Sequence, residues 1–442
     1  MPGLGHLYAG ENTKGRTLVA IDLGLIALLA IVAFFFKTGA IKAWASLDTL
    51  ALIMLGNLVL LTFRIWAAYD AHGLVTGRHS SSLVGRVLVV VIALVLLVPH
   101  VAIGYFTVVQ YSLLAAVFDD PEPTTPVTVP GSAGTTIPGQ VATTLPGPAI
   151  WDGLDRLNIL LIGSDVGPDR TGIRTDTMIV VSIDPQSGDT AMFSLPRNMF
   201  RVPLPDGVGP KDDCKCFPKL LNEVWYEASL HPDQYPGEGE PGPRAIKTVL
   251  GSLIGVDIHY YAMVSLQGFV GLVDALGGVT IDVPAQIVDE TYPHEDGVTI
   301  EHVVIDAGNQ HLSGHQALAY ARIRRHADDY ARMNRQRCVL GAVLSQSSPI
   351  ELLTRYGALA EVMKDNLDTD IPRDRLVDFI DILPKLSTDR IGVLSVDREY
   401  VTEVVEGKSY YDTDRIYTDA QALLADPTSG APGGLDLGDA CG

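Results

Sequence analysis

The chain has 442 residues and a formal net charge of −20, from 32 Lys+Arg against 52 Asp+Glu. Its mean hydropathy of +0.22 is high for soluble domains alone, and its length leaves room for two or three of them. Nucleic acid is excluded as a partner, because binding it requires a broad basic footprint that this balance does not supply.

The apolar excess lies at the front. Three apolar runs, about 17–36, 45–66 and 84–110, each reach the roughly 20 residues a helix needs to cross a bilayer. A cleaved signal peptide fits poorly, since no small-residue cleavage site follows a short apolar core and two more runs come after. Lys14 and Arg16 precede the first run, and Arg64, Arg78 and Arg86 surround the second loop, whereas the first loop has Lys37 and Lys42. Five positive charges against two predict a cytoplasmic N-terminus and an external location for everything after the third span. Residues 1–118 are therefore expected to form a multi-pass domain in the lipid bilayer of the cell membrane. Asp22 and Arg64 fall inside spans near the same end and are expected to pair or to snorkel.

Seven of the basic and four of the acidic residues lie in 1–118, leaving 25 and 48 beyond, a net of −23. All four cysteines (Cys214, Cys216, Cys338 and Cys441) lie in that acidic part, where disulfides can form. Their connectivity does not follow from sequence. Cys-x-Cys, with no histidine cluster after it, lacks zinc-site spacing. Residues 119–150 hold seven prolines and seven threonines without an apolar period. They predict an extended tether, on the order of 100 Å if fully stretched.

Residues 151–423 carry the pattern of one folded α/β domain. Strand-like runs fall at 157–163, 177–184, 190–196, 260–266, 279–283 and 390–396. Helical periods fall at about 219–230, 243–254, 267–276, 313–321, 328–346, 350–365 and 372–383. This order predicts a mixed β-sheet covered by helices on both faces. Residues 424–442 are expected to be a loose tail.

The loop SDVGPDRTGIRTD (164–176) sets Asp165 just past the first strand and Asp176 just before the second. Two carboxylates placed there either cap turns or hold a divalent ion, Mg²⁺ (or Mn²⁺), that shares its remaining positions with phosphate. Arg174 precedes Asp176 by two residues, and Arg197 ends the third strand in SLPRNMF. His311–Leu340 carries six arginines. A helix from about Asp328 would set Arg332, Arg335 and Gln336 on one face, while Arg322 and Arg324 fall two apart in an extended lead-in. An Arg-rich helix is ordinarily laced with surface salt bridges. Here arginines from three separate places accompany two carboxylates, and guanidiniums beside a metal suit pyrophosphate.

The succession LNILLIGSD, RTDTMIV, SLPRN, LVDALGGVTIDVP and then the arginine stretch closely resembles the LytR-CpsA-Psr family. The family's last signature, approximately R-x-R-x4-D-x2-R-x2-RQ, is met by Arg322, Arg324, Asp329, Arg332, Arg335 and Gln336. The likeness covers roughly 155–400. It implies a phosphotransferase that moves a glycopolymer from a polyprenyl-pyrophosphate carrier to a peptidoglycan acceptor, the muramic acid 6-hydroxyl. A phosphodiester forms and polyprenyl phosphate leaves. By the same resemblance Asp165 and Asp176 are Mg²⁺ ligands, and Arg174, Arg197, Arg322 and Arg324 grip the pyrophosphate. These six are the expected catalytic set, with Arg332, Arg335 and Gln336 completing the binding wall. The polyprenyl tail is expected in an apolar pocket beneath the sheet.

The chain departs from the family in having Asn198 where aspartate is usual, three spans rather than one, and an insertion around 211–219 with two cysteines. Arg325 and Arg337 fall outside the motif and are expected to be dispensable. Two other readings use the same residues: a membrane-tethered sensor that binds the lipid without turnover, and a polyprenyl-pyrophosphate hydrolase. The residues do not specify the polymer, with arabinogalactan and teichoic acid among those open.

Overall fold

The computed structural model describes residues 2–35, 44, 46–76, 83–118, 153–165, 172–210, 214–294, 298–323, 329–346, 352, 354–382, 385–387 and 390–427. They divide into two compact units, Met1–Ala116 and Val117–Gly442.

In the first unit three long helices take up the apolar runs: α1 (Asn12–Phe35), α2 (Leu47–Thr76) and α3 (Leu83–Val117). Among the described residues, Leu47–Leu74 and Leu94–Val117 are long and apolar enough to cross a membrane. Their outward side chains, such as Leu55, Val59, Val95 and Val98, are exposed. Left in water, such surface would forgo about 25 cal/mol per Å² of burial. Asp22 is buried, and its Oδ1 accepts hydrogen bonds from Arg64 Nε and Nη2 at 3.1 and 2.9 Å. Arg64 Nη1 lies 3.2 Å from His100 Nε2, and His100 Nδ1 lies 2.6 Å from Asn57 Oδ1. The pair expected from sequence is thus part of a network joining all three helices, which satisfies polar groups that hydrocarbon would not.

The second unit is built on a six-stranded sheet ordered β10-β3-β2-β1-β4-β9. Its strands are β1 (Leu157–Ser164), β2 (Thr175–Ile183), β3 (Thr190–Leu195), β4 (Tyr260–Ser265), β9 (Leu367–Thr369) and β10 (Ile391–Ser395). β1 pairs antiparallel with β2 and parallel with β4, so the sheet is mixed, as the sequence predicts. Its central strands read as continuous apolar runs because both faces are covered.

One face packs tightly. Leu160, Ile162, Val180 and Phe193 meet α4 (Val224–Leu230), α5 (Pro241–Ile254) and α11 (Thr413–Ala425) in one buried core. α5 presents Ile246, Val249, Leu250 and Leu253 at i, i+3, i+4, i+7, the spacing of a single helical stripe.

The other face carries α6 (Leu266–Ala275), α7 (Gly314–Arg322) and α8 (Asp329–Gln346). A second core lies there, with Val279, Ile281, Ile305, Tyr320, Ile323 and Val339. It includes two small antiparallel pairs, β5 (Val279–Val283) with β8 (Gly308–Leu312), and between them in sequence the hairpin of β6 (Ile287–Pro293) with β7 (Ile300–Ile305). α7 starts in a capping box in which Ser313 and Gln316 satisfy each other's backbone N–H. A Cβ on Gly314 would lie 2.1 Å from Val270 O, so only glycine lets α7 approach α6 this closely. That seating fixes where α7 ends, at Arg322.

Six strands escape the sequence reading: β6, β7, β8, β9, and the hairpin β11 (Val401–Val405) with β12 (Lys408–Tyr411). Most are half-exposed and polar, as in IVDETYP, so no apolar alternation marks them. Of the expected tail, Leu424 and Ala425 belong to α11, while residues 428–442 lie outside the described residues. The tether at 119–150 lies outside them too. The helix expected over 350–365 is described as α9 (Tyr356–Asn366), and that over 372–383 as α10 (Leu376–Ile382) after a 3-10 turn. Cys214 and Cys216 are bonded to each other, and Cys338 is buried and disulfide-bonded.

Candidate active site

Two carboxylates meet where β1 ends and β2 begins. Gly163 pairs with Thr177 and Ser164 with Thr175, so Asp176 is the extra residue of a bulge that re-aims its side chain. The Asp165 amide donates to Arg174 O at 3.2 Å, which closes the loop beneath it. Asp165 and Asp176 line the same cavity.

Three arginines line it as well. Arg197 leaves β3 and its Nη1 lies 2.6 Å from Asp176 Oδ1. Asn222 Nδ2 donates to that same oxygen at 3.3 Å, and its amide donates to Arg197 O at 3.2 Å, so one residue steadies both partners. Arg322 sets Nη2 3.9 Å from Asp165 Oδ1, an electrostatic contact too long for a hydrogen bond. Its Nη1 donates to the Tyr292 hydroxyl at 3.3 Å and its guanidinium lies 5.6 Å from that ring's centre. Arg332 is 4% exposed and reaches the cavity from α8, with Gln336 one turn on.

Behind this charged group the cavity is apolar. It holds about 700 Å³ between Leu161, Ile179, Ala262 and Val264 of the sheet and Phe269, Leu272, Val339 and Val343 of the helices. That volume suits a large organic ligand. One end holds charge of both signs, and the rest is mainly hydrocarbon, with Ser265 and Asp289 also on the wall.

Not every expected residue comes to this place. Arg174 is exposed and absent from the cavity wall, contributing its carbonyl rather than its guanidinium. Arg324 and Arg325 lie outside the described residues. Arg335 turns away: its Nη2 donates to Ile323 O and its guanidinium lies 5.8 Å from the Tyr320 ring centre. Burial pushes the Arg335 guanidinium below its ordinary pKa, while Tyr320 opposes the shift. The expected common face fails for a geometric reason. Steps of three and four residues land on opposite sides of the first position, about 100° from each other. Arg332 and Gln336 therefore share the cavity while Arg335 braces the C-terminal end of α7.

Arg337 is no loose surface group either. It is 1% exposed, its Nη2 donates to Asn334 Oδ1, and burial pushes its guanidinium down, with Asp397 opposing. Asn198 stays off the cavity wall, its Oδ1 accepting from the Tyr411 hydroxyl at 3.3 Å. The sequence reading passed over Tyr292, which sits on an unforeseen strand, and Asn222. Nothing in the sequence around LNE marks Asn222, whose burial is a property of the fold.

The donor set fits a hard cation. Asp165 and Asp176 offer carboxylate oxygens alone, the chemistry Mg²⁺ accepts while keeping water or phosphate in its other positions.

A sequence model of the LytR_cpsA_psr family matches residues 140–422. An Oceanobacillus iheyensis protein named polyisoprenyl-teichoic acid--peptidoglycan teichoic acid transferase TagU is 27% identical over 259 residues, 58% of this chain and 71% of that one. A protein of the same name from Halalkalibacterium halodurans is 28% identical over 222 residues, 50% of this chain and 62% of that one. This chain thus spans less than two-thirds of the second relative's length. The crystal structure of B. subtilis TagV is similar at 23% identity, covering 63% of this chain and 99% of that one, with a TM-score of 0.46. With well over half its length matched by the family model, the chain belongs to the LytR_cpsA_psr family.

Proposed function

We propose that the protein transfers a glycopolymer from a polyprenyl-pyrophosphate carrier to a peptidoglycan hydroxyl, that of the muramic acid 6-position. The observation that carries this reading is the cavity, with apolar walls and an end lined by Asp165, Asp176, Arg197, Arg322 and Arg332. A polyprenyl pyrophosphate has the same polarity, hydrocarbon at one end and multiple negative charge at the other. The attacking hydroxyl oxygen bonds to the phosphorus that bears the glycan. That phosphorus loses its bond to the bridging oxygen, polyprenyl phosphate departs, and a phosphodiester remains.

Arg197, Arg322 and Arg332 grip the non-bridging oxygens, where charge-assisted, forked hydrogen bonds are strongest. Arg324 joins them through the family motif, Arg174 supports the loop of Asp165 through its carbonyl, Gln336 lines the wall, and Arg335 braces the end of α7. Asp165 and Asp176 hold Mg²⁺, which supplies neutralisation of pyrophosphate charge. Asp165 or Asp176 takes the hydroxyl's proton. All three long helices span the cell membrane with the N-terminus cytoplasmic, and residues 119–150 tether the 151–423 domain outside it. The excess of positive charge in the N-terminal segment and around the second loop over the first loop supports that orientation.

Metal removal tests the acidic half of this site. Stripped of divalent ions, the full-length protein is expected to lose transfer and to regain it on addition of Mg²⁺ alone. Asp165→Asn and Asp176→Asn should each lower the rate by about 10²-fold at saturating Mg²⁺. Unchanged turnover by both variants in metal-free buffer would overturn the metal assignment.

A further inference from the structure

A separate cluster lies on the β6–β7 hairpin and the first turn of α7. His294 follows β6, Glu301 stands on β7 and His315 is the second residue of α7. One ligand atom from each of the three lies within 4.8 Å of the others. The two imidazoles stack with centroids 5.1 Å apart. His315 Nε2 is 2.7 Å from Glu301 Oε1, yet that buried oxygen has no partner of hydrogen-bond geometry among the described residues.

We propose that His294, Glu301 and His315 bind a d-block divalent cation, with Zn²⁺ the best fit. Two imidazoles and one carboxylate form a three-ligand zinc set that leaves a fourth position open to water. Imidazole favours zinc-like ions, whereas Mg²⁺ prefers oxygen donors throughout. Bond lengths of about 2.0–2.2 Å bring tetrahedral ligand atoms to roughly 3.3 Å from one another. A 4.8 Å cluster closes to that by side-chain rotation. The bound ion adds to the His315–Glu301 ion pair and the Arg322–Tyr292 hydrogen bond that already join the hairpin to α7.

The join has a consequence at the cavity. The His315 ring lies 5.8 Å from the ring of Tyr292, whose hydroxyl accepts from Arg322. The ion therefore holds the strand that carries Tyr292 against the helix that ends in Arg322. This role is positional, and the ion is distinct from the one assigned to Asp165 and Asp176.

The test is direct metal binding by the full-length protein, purified without a histidine tag, stripped of metal and kept in excess Mg²⁺. Zn²⁺ titrated calorimetrically should bind at one equivalent per chain. His294→Ala and His315→Ala should each weaken it by at least about tenfold, and Glu301→Gln should weaken it too. Asp165→Asn should leave Zn²⁺ affinity unchanged. Co²⁺ should give visible d–d absorption in the parent and lose it in His315→Ala. Matching thermal unfolding of the metal-free proteins confirms that the variants are folded. Absence of binding in the parent, or affinity as tight as the parent's in both histidine variants, would overturn the site.

Discussion

Arg322→Ala is expected to lower transfer by about 10²-fold or more, the cost typical of removing a preorganised donor aimed at developing charge. Arg322 ends α7 inside the cavity, held over the Tyr292 ring and facing Asp165 across 3.9 Å. Its loss removes a forked cation from the pyrophosphate and leaves Asp165 with less compensating charge when the lipid arrives. Arg322→Lys should recover little, because an ammonium offers neither the planar fork nor the same stacking on Tyr292. Thermal stability should change little, since its Asp165 contact is long. Steady-state kinetics of the full-length protein check the expectation. Activity of Arg322→Ala within threefold of the parent would mean that the pyrophosphate lies elsewhere.

Filling the apolar part of the cavity should have a comparable effect by a different route. Ala262 on β4 and Val343 on α8 both line it. Ala262→Phe or Val343→Trp places an aromatic ring where the tail is assigned. Displacing one five-carbon isoprene unit forfeits roughly 4 kcal/mol at ~0.8 kcal/mol per buried carbon, or roughly 10³-fold in Kd. Folding should tolerate the change, because the ring enters about 700 Å³ of open space rather than a packed core. A carrier with a short prenyl tail should bind the variants nearly as well as the parent, which separates tail exclusion from damage to the charged end. Equal Kd values for a long-chain carrier in parent and both variants would remove the tail from this cavity.

The central sheet was legible because its strands are apolar on both faces. LNILLIG, TMIVVSID and YYAMVSL stand out against any polar background, and they became β1, β2 and β4. The half-exposed hairpins left no such mark, and the residues they carry, Tyr292 above all, went unnoticed with them. Among the site residues, Asp165, Asp176, Arg197, Arg322, Arg332 and Gln336 do line one cavity. Arg174 does not, because it precedes β2 with its side chain exposed, while the bulge at Asp176 turns that carboxylate to the cavity. Arg335 was misplaced by treating third and fourth neighbours on a helix as one direction. The cavity itself has no signature in one dimension. Its lining residues come from strands and helices across the domain and have the same apolar chemistry as packed core. The histidine–glutamate cluster was hidden for a similar reason, with one ligand on each of three segments.

The most direct test of the transfer reading supplies the purified full-length protein with a polyprenyl-pyrophosphate-linked glycan, Mg²⁺ and peptidoglycan. Wall-attached glycan and released polyprenyl phosphate are then measured together. The account predicts equal amounts of both, with attachment through a phosphodiester and neither product formed by Arg322→Ala above a few per cent of the parent. Release of the carrier without attached glycan would instead show hydrolysis. Tight binding of the carrier with neither product would show a lipid sensor, and either result would contradict the transferase assignment.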